Sequence, residues 1–162
     1  MKYQIKSRLD ASILFECETG SLKLCVEAAV ATKAGLHGAD LGEADLGGAK
    51  NAQLIWAKTV ILPEGDIVGW KSCRDNVLVK LRIPVDAKRS NATWRKCRAE
   101  FVDVLEVIGA EVGYSKIPAG GEKLEYRVGQ RVRCVQPFDT NRWNECSSGI
   151  HFYITREEAE ND

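Results

Sequence analysis

Between residues 34 and 53 the chain advances in steps of five. Ala34, Ala39, Ala44 and Ala49 recur at that interval, and Leu36, Leu41 and Leu46 keep the same step. The blocks read Ala34-Gly-Leu-His-Gly, Ala39-Asp-Leu-Gly-Glu and Ala44-Asp-Leu-Gly-Gly, then Ala49-Lys-Asn-Ala-Gln. A period of five matches neither the 3.6 of a helix nor the 2 of a strand, so no ordinary amphipathic element is expected here. A small residue and a leucine at fixed offset suggest a coil whose interior takes one of each per side. Four blocks make about one coil of a solenoid, and solenoid units bury their faces only by stacking. The segment is therefore expected to be capped by its neighbours.

These blocks resemble the pentapeptide-repeat family, whose consensus is Ala-(Asp/Asn)-Leu-x-x. The resemblance implies a square right-handed β-helix with leucine and alanine pointing inward. It places His37, at an x position, toward solvent. With a single coil, a spacer or cap is expected here in preference to the DNA-mimicking rod of some long family members.

The flanking segments follow ordinary periods. Residues 12–17 read as a strand, and Ser21 caps a helix running to about Lys33 with Leu22, Cys25, Val26 and Ala29 on one face. After Pro63-Glu64-Gly65, residues 67–73 and 77–83 form a hairpin pattern about the turn-prone Arg74-Asp75-Asn76. Further strands are expected at 101–108, 111–115, 124–128, 131–135 and 150–154, with Gly109, Gly120-Gly121 and Gly129 between them. Thr155 and Glu158 have the spacing of a capping box for a short last helix. The expected fold class is α+β: a strand and helix, about one β-helix coil, then an antiparallel β-rich domain with a short C-terminal helix. The expected division is residues 1–58 and 59–162.

Net charge is zero, which argues against general DNA mimicry. Residues 71–100 nevertheless carry nine basic and three acidic groups, the strongest electrostatic feature of the chain. No apolar run approaches the ~20 residues that span a bilayer, and the N-terminus lacks a signal peptide's apolar stretch. A cytoplasmic protein with no membrane partner is the expectation, in the host cytoplasm if phage-encoded. Its six cysteines are then reduced thiols, none of them in a C-x-x-C pair.

Two segments concentrate reactive or charged groups. One runs from Ile83 through Lys88-Arg89-Ser90 to Trp94-Arg95-Lys96-Cys97-Arg98-Ala99-Glu100; the other is Asn141-Arg142-Trp143-Asn144-Glu145-Cys146-Ser147-Ser148-Gly149-Ile150-His151-Phe152. With Lys2 to Arg8 and Leu14 to Glu18, these strings resemble a domain of unknown function found mostly in phage and prophage genes, downstream of pentapeptide repeats. The resemblance implies a genetic setting and no reaction.

Lys88, Arg89, Arg95, Lys96 and Arg98 around Trp94 suit a nucleic-acid backbone, so nucleic-acid contact through the 80–98 block is one reading. Salt bridges to the acidic C-terminal part are the other. Cys97, Cys134, Cys146 and His151 have zinc-ligand chemistry but irregular spacing. Cys97 or Cys146 with His151 has the residue types of a nucleophile pair, although His151 sits mid-strand, where a packed histidine is commoner. Gly149-Ile150-His151-Phe152 also looks faintly like a strand of ADP-ribosyltransferases, without that family's usual companions.

Binding is therefore expected in preference to catalysis, with no cofactor. The expected partner is a host protein or ribonucleoprotein of a defence system, anti-CRISPR inhibition being the most concrete version. The contact residues would be Lys88, Arg89, Trp94, Arg95, Lys96, Arg98, Arg142 and Trp143, since Trp and Arg dominate interface hot spots. An enzyme, or a structural or virion-associated module, are the alternatives.

Overall fold

The computed structural model describes residues 1–7, 10–36, 39–41, 46, 48–91, 95–116, 123–142 and 144–162, without the side chains of 52, 56, 58 and 59. The chain divides into two compact units, the first over Met1–Ile61 and the second over Leu62–Asn91 with Arg95–Asp162.

In the first unit, β1 (Lys2–Lys6) pairs antiparallel with β2 (Ile13–Glu18). Helix α1 (Leu22–Ala31) follows, with the Ser21 side chain accepting from the Leu24 N–H as the sequence predicts for an N-cap. Cys25, Val26, Ala29 and Val30 form its buried stripe. Helix α2 (Ala52–Thr59) completes the unit.

The expected β-helix coil does not form. Among the described residues of 34–53 the strand-type pairing is a lone antiparallel bridge, Ser7 to Ala39, beside an Asp40 N–H to Lys6 C=O bond of 2.8 Å. Ala52, expected inside the ladder, instead starts α2. Leu36, Ala39, Leu41, Leu46 and Ala49 are all buried, so these apolar positions are inward, but none of the sheets among the described residues is a solenoid coil. A solenoid coil gains its stability from the next coil, and this chain supplies none. The Glu27 carboxylate of α1 instead holds the Lys50 N–H at 2.7 Å. His37 and Ala44 lie outside the described residues.

The second unit is built from short antiparallel strands. These are β3 (Ile67–Ser72), β4 (Leu78–Ile83), β5 (Arg89–Ser90), β6 (Cys97–Ala99), β7 (Phe101–Ile108), β8 (Gly113–Tyr114), β9 (Glu125–Tyr126), β10 (Arg131–Arg133) and β11 (Ile150–Phe152). They form a four-stranded sheet in the order β10-β7-β4-β3, a three-stranded sheet β11-β6-β5, and the pair β8-β9. The protein is thus β-rich, made of small antiparallel sheets with few helices, and not α+β with a solenoid coil. The β3–β4 hairpin closes through a single helical turn, Arg74–Asn76, in which Asp75 and Asn76 take φ of 57° and 58°. Asp and Asn tolerate that left-handed backbone better than other non-glycine residues, and this is why the turn falls there.

The four-stranded sheet is joined to the end of β11 by one reciprocal bridge. Trp70 and Tyr153 exchange N–H to C=O bonds of 2.7 Å in both directions. The approach requires a glycine next door: a Cβ on Gly69 would stand 2.6 Å from Phe152 Cδ2 and 3.0 Å from the Tyr153 carbonyl. Val79, Leu81, Ile83, Val102, Val104, Ile150 and Phe152 are buried in this unit. Helix α3 (Arg156–Glu160) begins at the expected capping box, with Thr155 Oγ1 accepting from the Glu158 N–H and Glu158 accepting from the Thr155 N–H.

Candidate functional site

A cavity of about 470 Å³ opens within the second unit. The fold brings three lysines to it from distant positions. Lys71 comes from β3, Lys96 from the approach to β6, and Lys116 from the segment after β8. Leu124, Tyr126 and Ile150 contribute apolar wall, and the 146–149 loop supplies one side. A volume of this order holds a small molecule or two or three peptide side chains.

The cations are held by different means. Lys71 is half-buried and donates to the His151 carbonyl at 3.1 Å, with its ammonium 5.8 Å from the Tyr126 ring centre. Burial lowers its pKa. Lys96 bonds Asp162 Oδ1 at 2.6 Å and lies 5.4 Å from the Tyr153 ring centre, while Lys116 donates to the Asp162 main-chain oxygen at 2.8 Å. The Tyr153 hydroxyl donates to Asp162 Oδ1, also at 2.6 Å. Burial alone would raise the Asp162 carboxyl, but the bonds from Lys96 and Tyr153 hold it below its ordinary value. The Tyr126 hydroxyl is fully buried and has no hydrogen-bond partner among the described residues.

The loop wall is placed by one buried cation and one carboxylate. Arg98 is 1% exposed, and its guanidinium donates to the carbonyls of Ser148 (2.7 Å), Asn141 (3.1 Å) and Asp139 (3.2 Å), 5.2 Å from the Phe138 ring centre. Asp139 accepts from Ser147 Oγ, the Asn141 N–H and Asn144 Nδ2, and these bonds pull its carboxyl down to about 2. A guanidinium with five donors in a fixed fork is suited to several carbonyls at once.

Most of the basic residues singled out in the sequence are engaged inside the second unit. Arg89 donates to the carbonyls of Gly65 and Pro63, Lys88 faces Glu100 at 3.8 Å, and Arg95 is bonded to Glu158. Arg98 and Arg142 are buried, so neither presents the contact surface that the sequence suggested, and burial brings Arg142 down to about 10. Lys96 alone of that set lines the cavity. Trp94 and Trp143 lie outside the described residues.

The cysteine and histidine candidates are placed differently: Cys146 and His151 both line the cavity, whereas Cys97 does not share a strand face with His151. His151 pairs with Arg98 across β6 and β11, and Cys97 pairs with Phe152, so strand alternation puts Cys97 on the face opposite His151. Cys97 is fully buried, its thiol is pushed up to about 12 by burial, and its Sγ donates to the Arg95 carbonyl. His151 Nε2 donates to the Glu145 carbonyl at 3.2 Å, and burial lowers its pKa to about 4. All six cysteines are free thiols. Among the described residues no three His, Cys, Asp or Glu side chains converge as a metal site would need. No helix among the described residues is long and apolar enough to cross a membrane.

Sequence reasoning missed Lys71, Lys116, Tyr126, Tyr153 and Asp162. Long-range strand pairing and the bonds to Asp162 bring these positions together, and no local spacing marks them.

Fold and site together define a small β-rich domain with a lysine-rimmed cavity. A family of unknown function, DUF5758, matches residues 58–159, and the chain belongs to that family. No curated protein and no solved structure matches the chain.

Proposed function

We propose that the protein is a phage-type accessory factor that acts by binding, occupying a protein or ribonucleoprotein of a host defence system in the host cytoplasm. The lysine-rimmed cavity supports binding over catalysis. It gathers three ammonium groups on an apolar wall, while strand alternation puts Cys97 on the face opposite His151. Cations around an apolar centre suit an acidic partner surface. The resemblance to phage and prophage domains supports the defence setting, with an RNA-guided nuclease the most concrete target. The segment 80–98 gives less support to a nucleic-acid partner, because its cations are largely bonded within the domain.

The test is a plasmid-interference assay in cells carrying an RNA-guided defence system, together with co-purification of the tagged protein. Protection of the targeted plasmid and a stoichiometric complex with the effector are expected. Undiminished interference at full expression of the folded protein overturns the proposal.

A further inference from the structure

We infer that the cavity of the second unit is a receptor for an acidic peptide side chain, and that Asp162 is its resident occupant. The inference rests on the binding reading above and names the chemistry of the partner. Asp162 shows what the site accepts: one carboxylate oxygen receives both the Lys96 ammonium and the Tyr153 hydroxyl at 2.6 Å. Lys116 meanwhile binds the main-chain oxygen of the same residue, so two lysines and a tyrosine engage this one aspartate.

The cavity has more binding capacity than Asp162 uses. An ammonium carries three donors, and Lys71 uses one of them, to the His151 carbonyl. The fully buried Tyr126 hydroxyl has no hydrogen-bond partner among the described residues. Leu124 and Ile150 add apolar wall beside these groups. A peptide with two carboxylates, one taking the place of Asp162 at Lys96 and Tyr153 and the other reaching Lys71, with an aliphatic residue beside them, matches that combination of donors and surface. A peptide is favoured over a free oxyanion because the apolar wall gives an inorganic ion nothing to bind.

Asp162 then acts as an internal competitor. A tethered ligand is present at an effective concentration in the millimolar range, so an incoming carboxylate must displace it. Removing the tethered carboxylate tightens external binding by the factor it had cost.

The probe is a fluorescein-labelled peptide of alternating aspartate and leucine, titrated by anisotropy at low salt against the full chain. Asp162→Ala and Asp162→Asn are expected to bind about five- to tenfold more tightly than the parent. Lys71→Met and Lys96→Gln, which keep the side-chain stems, are expected to lose about tenfold, with melting curves confirming the fold. Binding weakens as salt rises, since the rim charges are screened. The assignment is overturned if both Asp162 variants bind no more tightly than the parent, or if a serine–leucine peptide binds equally well. Inorganic phosphate retained at the lysines while the acidic peptide is refused also overturns it. Peptide binding without plasmid protection leaves this site standing and removes the defence reading; protection without peptide binding does the reverse.

Discussion

Asp103 and Arg131 stand opposite each other across β7 and β10 and close a two-pronged pair, Nε to Oδ1 at 2.6 Å and Nη2 to Oδ2 at 3.0 Å. Arg82 of β4 reaches the same carboxylate at 2.6 Å, so one aspartate ties three strands together on the exposed face of the sheet.

The bonds from Arg131 and Arg82 pull Asp103 down to about 2 from an ordinary value of 3.8. A carboxyl depressed by folding contributes stability that is complete above its unfolded pKa and lost as pH falls through the folded one. That window runs from about pH 4 to about pH 2. Asp103→Asn is expected to cost about 1–2 kcal/mol at pH 7, a figure reduced for the partly exposed arginines, and to flatten the acid limb of the stability curve. Urea unfolding at pH 7 and pH 3 checks both. An unchanged acid limb would show that the pair contributes nothing.

Gly69→Ala is expected to destabilise the second unit by about 1–3 kcal/mol. The new methyl would meet Phe152, Ile83 and the Tyr153 carbonyl within 3.1 Å, and the Trp70–Tyr153 bridge prevents the strand from moving away. Thermal melting of the variant measures this. A melting temperature equal to the parent's would mean that the segment after β11 shifts without cost.

How far the sequence reveals this structure depends on the range of the interaction. The β3–β4 hairpin and the Thr155 capping box are legible because Asp75, Asn76 and the Thr155/Glu158 spacing act within a few residues. The inward positions of the ladder are legible as well, since a leucine every fifth residue marks burial whatever the backbone does. The path between them is not, because a solenoid is decided by the coil that would stack on it. Strand β1 escapes notice because it is defined by its pairing with β2, several residues further along the chain. The cavity is the extreme case. Lys71, Lys96, Lys116 and Asp162 are unremarkable surface residues until long-range strand pairing gathers them.

His151 is expected to make the second unit acid-sensitive well above the Asp103 window. Burial lowers the imidazole to about 4 from 6.5, so it contributes stability that is complete above pH 6.5 and lost as pH falls toward 4. At pH 4.5 the loss is about 2 kcal/mol. His151→Gln keeps a donor for the Glu145 carbonyl and should remove most of that dependence. Equal slopes for parent and variant between pH 7 and pH 4.5 would place the acid sensitivity elsewhere.

Thiol labelling separates the cysteines by burial. Cys146 is exposed, whereas Cys25, Cys73 and Cys97 are fully buried, and burial pushes Cys97 up to about 12. A disulfide reagent applied to the native protein is expected to modify Cys146 first and to leave Cys97 untouched until denaturant is added. Fast native labelling of Cys97 would reopen its role as a nucleophile.

The residue that most affects the cavity wall is one that the sequence marks as a contact residue. Arg98 lies inside the domain, desolvated, and its fork fastens the carbonyls of Asp139, Asn141 and Ser148. The described part of the 136–149 loop has no helix or strand, so these bonds and the Asp139 turn substitute for secondary structure. Arg98→Ala would strip the guanidinium from three carbonyls, of which those of Ser148 and Asn141 keep a backbone N–H donor, and is expected to cost about 3 kcal/mol. Arg98→Lys, with a point charge in place of a fork, should recover only part of that. Arg95→Ala removes one partly exposed pair to Glu158 and is expected to cost no more than about 1 kcal/mol. Side-by-side urea titrations of the three variants test the contrast. If Arg98→Ala and Arg95→Ala proved equally mild, the loop would have to be held by something other than the guanidinium. The lysine-rimmed cavity would then have to be built without that anchor.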